Sequence, residues 1–195
     1  MFTGIIESLG KIISIQQEGS NKRFTIESSI STELKPGESV SHDGVCLTIE
    51  KTENNSHTVT AVDETLIRSN LGRKVIGNFI NLERSMMMNG RIDGHLVQGH
   101  VDDVAVCKKI KSKDGSLIFT FSFEKKYSVL LIDKGSVCVN GVSLTVIKPS
   151  AKKFSVAVIP FTSDHTNFKY IEIGDEANIE FDVIGKYVAR QLGRK

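Results

Sequence analysis

The sequence predicts an all-β fold in which one module of about 90 residues is used twice, and three observations carry that expectation. Residues Ser39 to Thr48 (SVSHDGVCLT) return 97 positions later as Ser136 to Thr145 (SVCVNGVSLT). Each copy contains a turn dipeptide, Asp43-Gly44 or Asn140-Gly141, of the kind type I′ hairpins prefer because both central residues need positive φ. Without gaps, residues 39–83 and 136–180 share 14 identities in 45 positions, among them Thr65 with Thr162, Asn70 with Asn167, Gly77 with Gly174, Asn81 with Asn178 and Glu83 with Glu180. Short strands with regularly spaced turns fit a sandwich or a Greek-key barrel.

In chain order, Gly4 to Ile15 alternates loosely and reads as a first strand, followed by polar turn material from Gln16 to Lys22. Arg23 to Ser28 is the second strand. Leu34 to Glu38 is a turn, with Pro36 placed where a missing N–H does no harm. The first hairpin ends near Thr52, His57 to Val62 is another strand, Glu64 to Asn70 is one helical turn, and Val75 to Glu83 closes the module. The pattern then restarts, with Gly99 corresponding to Gly4 after a small slip. Residues 1–94 and 95–184 form the two modules; Gly185 to Lys195, with Tyr187, Val188, Ala189 and Leu192, reads as a short amphipathic helix outside both.

Side chains alternate faces along a strand, so Val45 and Leu47, like Val142 and Leu144, point to a core. Cys46 and Thr48, like Ser143 and Thr145, point the other way. Packing does not require the same small polar pair after the same turn twice, whereas a ligand contacted by both modules does. The copies also differ: Cys46 becomes Ser143, His42 becomes Val139, Ser85 becomes Asp182 and Ile5 becomes His100. Two molecules of one ligand, held in similar pockets with different acid–base groups, is the expectation.

With 39% apolar and 25% charged residues the composition is that of an ordinary globular protein. The 25 basic residues are scattered among 23 acidic ones, so there is no electrostatic footprint for nucleic acid; only Arg190 to Lys195 is locally basic. Cys46, Cys107 and Cys138 lack CxxC spacing, which argues against a disulfide framework or a zinc site, and Cys107 and Cys138 read as small apolar fillers. The five-residue spacing of His95 and His100 puts the two imidazoles on opposite faces of a regular strand, so no metal is expected there. Met86 to Met88 are expected to pack the link between modules. With no signal-peptide pattern at Met1 to Gly4 and no membrane-length apolar run, a cytoplasmic protein without membrane contact is expected.

Met1 to Glu7 (MFTGIIE), Gly94 to Asp102 (GHLVQGHVD) and the doubled Gly-Val-(Cys/Ser)-Leu-Thr phrase together resemble riboflavin synthase of the α-chain type, over essentially the whole chain. The resemblance implies two six-stranded antiparallel Greek-key barrels, a C-terminal helix that helps assemble a homotrimer, active sites between subunits, and association with lumazine synthase. It implies a dismutation of two 6,7-dimethyl-8-ribityllumazine molecules to riboflavin and 5-amino-6-ribitylaminouracil, with no metal or redox cofactor.

Carried over by motif, one lumazine lies along Gly4, Ile5, Ile6, Ser39, Cys46, Leu47, Thr48, Thr60, Ala61, Val62, Asp63, Glu64 and Thr65. The other lies along Gly99, His100, Val101, Lys134, Ser143, Leu144, Thr145, Ile159, Pro160, Phe161, Thr162, Ser163 and Asp164. His100 is expected to transfer protons, because imidazole titrates near physiological pH. Cys46 and Ser143 are expected to hydrogen-bond or add transiently to the activated ring, and Asp182 to orient His100 or relay a proton. The rival is a lumazine- or flavin-binding antenna or carrier protein of the same fold; such proteins tend to lose the reactive groups that this sequence keeps.

Overall fold

The computed structural model describes residues 1–193 and contains two closed six-stranded antiparallel barrels and a C-terminal helix. The first barrel uses β1 (Ser8–Glu18), β2 (Asn21–Glu27), β3 (Ser39–His42), β4 (Val45–Glu53), β5 (Ser56–Ala61) and β6 (Phe79–Arg84). They close in the order β1-β2-β5-β4-β3-β6, so β3 to β5 return as a meander between β2 and β6. The second barrel repeats this order with β7 (Asp103–Lys113), β8 (Ser116–Ser122), β9 (Ser136–Val139), β10 (Val142–Ile147), β11 (Lys153–Val158) and β12 (Glu176–Phe181). Short helices α1 (Asp63–Arg68) and α2 (Pro160–His165) follow β5 and β11, and α3 (Val183–Gln191) follows β12.

Both repeated turns have positive φ at their two central residues: 49° and 82° at Asp43-Gly44, 47° and 80° at Asn140-Gly141. That is what a two-residue hairpin joining right-twisted strands requires. The predicted faces hold. Val45 and Leu47 are buried in the first core, Val142 is buried in the second and Leu144 packs against it, while Thr48 and Thr145 are exposed.

Several boundaries differ from the expectation, each for a physical reason. The first strand begins at Ser8 rather than Gly4, because the segment before it reaches across to the second module, Phe2 pairing with Val97 and Gly4 O accepting from Ser143 N. Strand β6 begins at Phe79 rather than Val75, because Val75 to Asn78 forms a turn with φ +94° at Gly77. A 3-10 turn at Ser29–Glu33 was not foreseen, and the helical turn after β5 continues as a 3-10 turn at Asn70–Arg73. Helix α3 starts at Val183, two residues before the expected Gly185, because the Asp182 side chain accepts a hydrogen bond from Ile184 N and caps it. Of the basic tail, Arg194 and Lys195 lie outside the described residues. Among the described residues no helix is long and apolar enough to cross a membrane.

Six polar residues join the barrels in mirrored pairs. Asn70 N donates to Asn178 Oδ1 (2.6 Å) and Asn167 N to Asn81 Oδ1 (2.7 Å). Asn81 Nδ2 donates to Asn140 O and Asn178 Nδ2 to Asp43 O, both at 2.8 Å. All six are buried, so each bond forms out of competition with water. The repeated asparagines of the sequence are therefore the joint between the barrels.

Candidate active site

The segments that precede each barrel are exchanged. Gly4 O accepts from Ser143 N in the second barrel (2.8 Å), and Gly99 O accepts from Cys46 N in the first (2.9 Å). Ile6 packs against the second core and Val101 against the first. The contact is close enough to require glycine. With φ of +79° and +83°, an added Cβ at Gly4 or Gly99 would lie 2.6 Å from the Cβ of Ser143 or Cys46. Gly4 and Ile6 thus lie on the opposite barrel from Cys46, with which they were grouped, and Gly99 and Val101 lie opposite Ser143. The expected grouping follows sequence order within each half, and the exchange of the arms crosses it.

Each arm is fixed by a buried glutamate of its own barrel. Glu83 accepts from Thr3 N (2.6 Å), Thr3 Oγ1 (2.8 Å) and Gly4 N (3.0 Å). Glu180 accepts from Gln98 N (2.6 Å), Gly99 N and His100 N (both 2.9 Å). Burial pushes both carboxyls above the usual range, and the N–H donors work against that shift.

Cys46 and Ser143 are half-buried on outward faces of equivalent strands, but only Ser143 has an imidazole partner. His95 Nδ1 lies 2.7 Å from Ser143 Oγ, and the buried His95 Nε2 has no partner among the described residues. Desolvation lowers the His95 pKa, keeping the ring neutral, while the nearby Asp182 carboxylate opposes the shift. The sequence reading weighed His95 only as a metal ligand and missed this pair. No local signal gives it, because 48 residues separate the two. The His100 side chain is exposed. Among the described residues no hydrogen bond joins it to Asp182, whose side chain accepts from Ile184 N and caps α3.

The other candidates fall into two equivalent settings. Ser39 lies opposite Thr48 on β3 and β4, and lines a cleft of about 570 Å³ with Ile5, Glu83, Arg84 and Ser85. Its counterpart of about 330 Å³ is lined by Ser136, Asp182 and the apolar side of α3. Thr60, Ala61, Val62, Asp63, Glu64 and Thr65 form the corner from β5 into α1, where buried Thr60 Oγ1 has no partner among the described residues. Ile159, Pro160, Phe161, Thr162, Ser163 and Asp164 form the same corner into α2, with Phe161 exposed and Ser163 buried. Leu47 and Leu144 turn their side chains to the cores and lie opposite Val40 and Val137 in the hairpin ladders. Lys134 is exposed on a turn at φ +66°. Cys107 and Cys138 are buried, and burial raises both thiol pKa values. Met86 and Met87 line the first cleft, and Met87 and Met88 are largely exposed instead of packing the link.

Comparison with known proteins agrees with this duplicated architecture. The lumazine binding domain family matches residues 3–85 and again 98–182. Riboflavin synthase of Actinobacillus pleuropneumoniae is 36% identical over 196 residues, covering 100% of this chain and 91% of that protein. The Bacillus subtilis (strain 168) riboflavin synthase is 38% identical over 193 residues, covering 98% and 90%. Among solved structures, LumP complexed with riboflavin superposes with a TM-score of 0.87 at 21% identity, covering 93% of this chain and 99% of that one. The fold is thus shared with LumP, while full-length likeness at these identities places the chain among enzymes: it belongs to the riboflavin synthase family.

Proposed function

We propose that the chain converts two molecules of 6,7-dimethyl-8-ribityllumazine into riboflavin and 5-amino-6-ribitylaminouracil by moving a four-carbon unit from one to the other. The observation that carries this reading is the pair of equivalent outward strands, each hydrogen-bonded to the other module's arm, with Cys46 on one and the Ser143–His95 pair on the other. A dismutation of two identical molecules needs this: similar seats for both rings, and different chemistry at each.

The lumazine C7 methyl is acidic because its anion delocalises into the ring, so a weak base suffices to start the reaction. The neutral His95 ring, through the Ser143 hydroxyl at its Nδ1, supplies such a base or relay; exposed His100 is a second. Carbon–carbon bonds to the second ring follow, and proton transfers complete the elimination. Holding two rings face to face contributes up to roughly 7–11 kcal/mol in favourable cases, against about 10²–10⁴-fold from acid–base help. Unpartnered Thr60 Oγ1 beside the α1 corner suits a ribityl hydroxyl or ring carbonyl.

Completion of the site by a neighbouring copy fits α3. Ile184, Tyr187, Val188 and Leu192 are all more than half exposed along this short helix, beside exposed Val129 and Ile132. A stripe of that kind suits burial in a homotrimer. Free thiols throughout suit a cytoplasmic setting.

The test is to incubate purified protein with 6,7-dimethyl-8-ribityllumazine, without cofactor and with chelator, and to follow riboflavin by absorbance and chromatography. One riboflavin per two lumazines consumed, over many turnovers, is expected. Stoichiometric binding without riboflavin would replace this reading with a pigment carrier. Ending the chain at Val183 should dissociate the trimer in sedimentation; an unchanged trimer removes α3 from the assembly.

A further inference from the structure

We infer that Glu83 and Glu180 are positioning residues wired across the two barrels: Glu83 of the first sets the Ser143 strand of the second, and Glu180 of the second sets the Cys46 strand of the first. Each glutamate gathers three donors of one arm onto a buried carboxylate. The glycine held there then accepts the backbone N–H of the reactive residue in the other barrel, Gly4 O from Ser143 N and Gly99 O from Cys46 N. An arm that shifts cannot leave the strand in place, because no gap separates glycine from strand. Only a carboxylate serves. Glutamine has the same size but offers a single oxygen and points two N–H donors into a nest that already consists of donors.

The competing route is local, and the geometry makes the two distinguishable. Glu83 pairs with Ser41, which pairs with Cys46; Glu180 pairs with Cys138, which pairs with Ser143. Damage that spreads through each barrel's own ladder therefore reaches the opposite residue from damage that travels through the arms.

The experiment uses Glu83→Gln and Glu180→Gln in the full chain. Cys46 is the one half-exposed cysteine beside buried Cys107 and Cys138, so brief alkylation read by peptide mass reports on its strand. Glu180→Gln should raise Cys46 alkylation about fivefold, the equivalent of one lost hydrogen bond, and Glu83→Gln should leave it unchanged. Amide exchange at Ser143 should show the reverse, faster in Glu83→Gln alone. The opposite assignment, or equal effects of both variants on both reporters, overturns the wiring. Should either glutamine variant fail to fold, Glu83→Asp and Glu180→Asp keep the charge, and the same crossed pattern is required of them.

Turnover is the part that rests on the function proposed above. Both variants should lower kcat about tenfold with KM little changed, since they move reacting groups rather than remove binding contacts. Crossed labelling with wild-type turnover would keep the wiring but take Cys46 and Ser143 out of the chemistry. Uncrossed labelling refutes the wiring whatever the turnover.

Discussion

The first barrel has His42 and His57 where the second has Val139 and Phe154, and Asp43 with Lys74 where the second has Asn140 and Ile171. The second core is aromatic, with Phe119, Phe121, Phe123, Phe154, Phe168 and Phe181 in mutual contact, whereas the first is mostly aliphatic around its histidine pair. Strand order, turn geometry and the asparagine joint are the same in both. Two copies of one module thus agree in frame and in the asparagines that join them, and diverge in what fills them and at Asp43, which faces Lys74 where Asn140 carries an amide. The divergence makes their stabilities respond to different conditions.

The largest expected difference is in acid. His42 Nδ1 donates to Val40 O (3.0 Å), so its Nε2 accepts from His57 Nε2 at 2.9 Å; His57 Nδ1 in turn accepts from Ser31 Oγ at 2.8 Å. This assignment satisfies every ring nitrogen with both rings neutral, and a further proton on His42 Nε2 would set two N–H donors against each other. Burial, reinforced at His42 by the second ring, lowers the pKa values to about 3 for His42 and about 4 for His57. The unfolded chain binds these protons near pH 6.5, so the stabilisation is complete above that pH and is lost as pH falls below it. At about 1.4 kcal/mol per pH unit per ring, the loss reaches about 5 kcal/mol by about pH 4.5. The raised carboxyls Glu83 and Glu180 act with the opposite sign, one in each barrel, and leave the difference standing. Hydrogen exchange at pH 7 and pH 5 should show protection lost in β3 to β5 before β9 to β11. The double variant His42→Val, His57→Phe should abolish the difference, and equal loss in both barrels would break the comparison.

Next in size is the ion pair. Asp43 is fully buried and its Oδ2 lies 2.7 Å from Lys74 Nζ. Lys74→Met strands a buried carboxylate and should cost about 3 kcal/mol in a denaturant titration at neutral pH. Adding Asp43→Asn with Lys74→Ile instead copies the second barrel's pair. The new amide would also give Asn70 Oδ1 a donor; it has no partner among the described residues, whereas equivalent Asn167 Oδ1 accepts from Asn140 Nδ2 (3.4 Å). The double variant should recover most of the loss. If it is no more stable than Lys74→Met, the two joints are not equivalent.

How much of this was legible in the sequence depended on distance along the chain. The Asp43-Gly44 and Asn140-Gly141 hairpins, the inward Val45 and Leu47 and the outward Cys46 and Thr48 are consequences of period-two alternation and turn chemistry within ten residues. The asparagine identities were visible as identities, but their job was not, because each partner lies on the other barrel. The exchange of the arms was hidden for the same reason: Gly4 and Ser143 meet only once both barrels have closed. Met87 and Met88 misled because an apolar run at a module boundary reads as packing, whereas the chain turns at Met88 and Asn89 and leaves both side chains exposed.

The smallest expected effect concerns the site. Ser143 has His95 at 2.7 Å, whereas among the described residues Cys46 makes no side-chain hydrogen bond. If the barrels divide the chemistry, removing the imidazole should act on turnover and hardly on folding. His95→Gln keeps a hydrogen-bonding group at Ser143 and removes the proton acceptor, so kcat should fall about tenfold with little change in the unfolding midpoint. Because desolvation lowers the His95 pKa, wild-type activity should fall only as pH drops below the ordinary imidazole value, and that acid limb should flatten in the variant. Cys46→Ser makes the two strands chemically alike and should leave the acid limb where it is. A limb that shifts in Cys46→Ser and persists in His95→Gln would assign the proton transfer to the first barrel, and the division drawn between the two strands would be reversed.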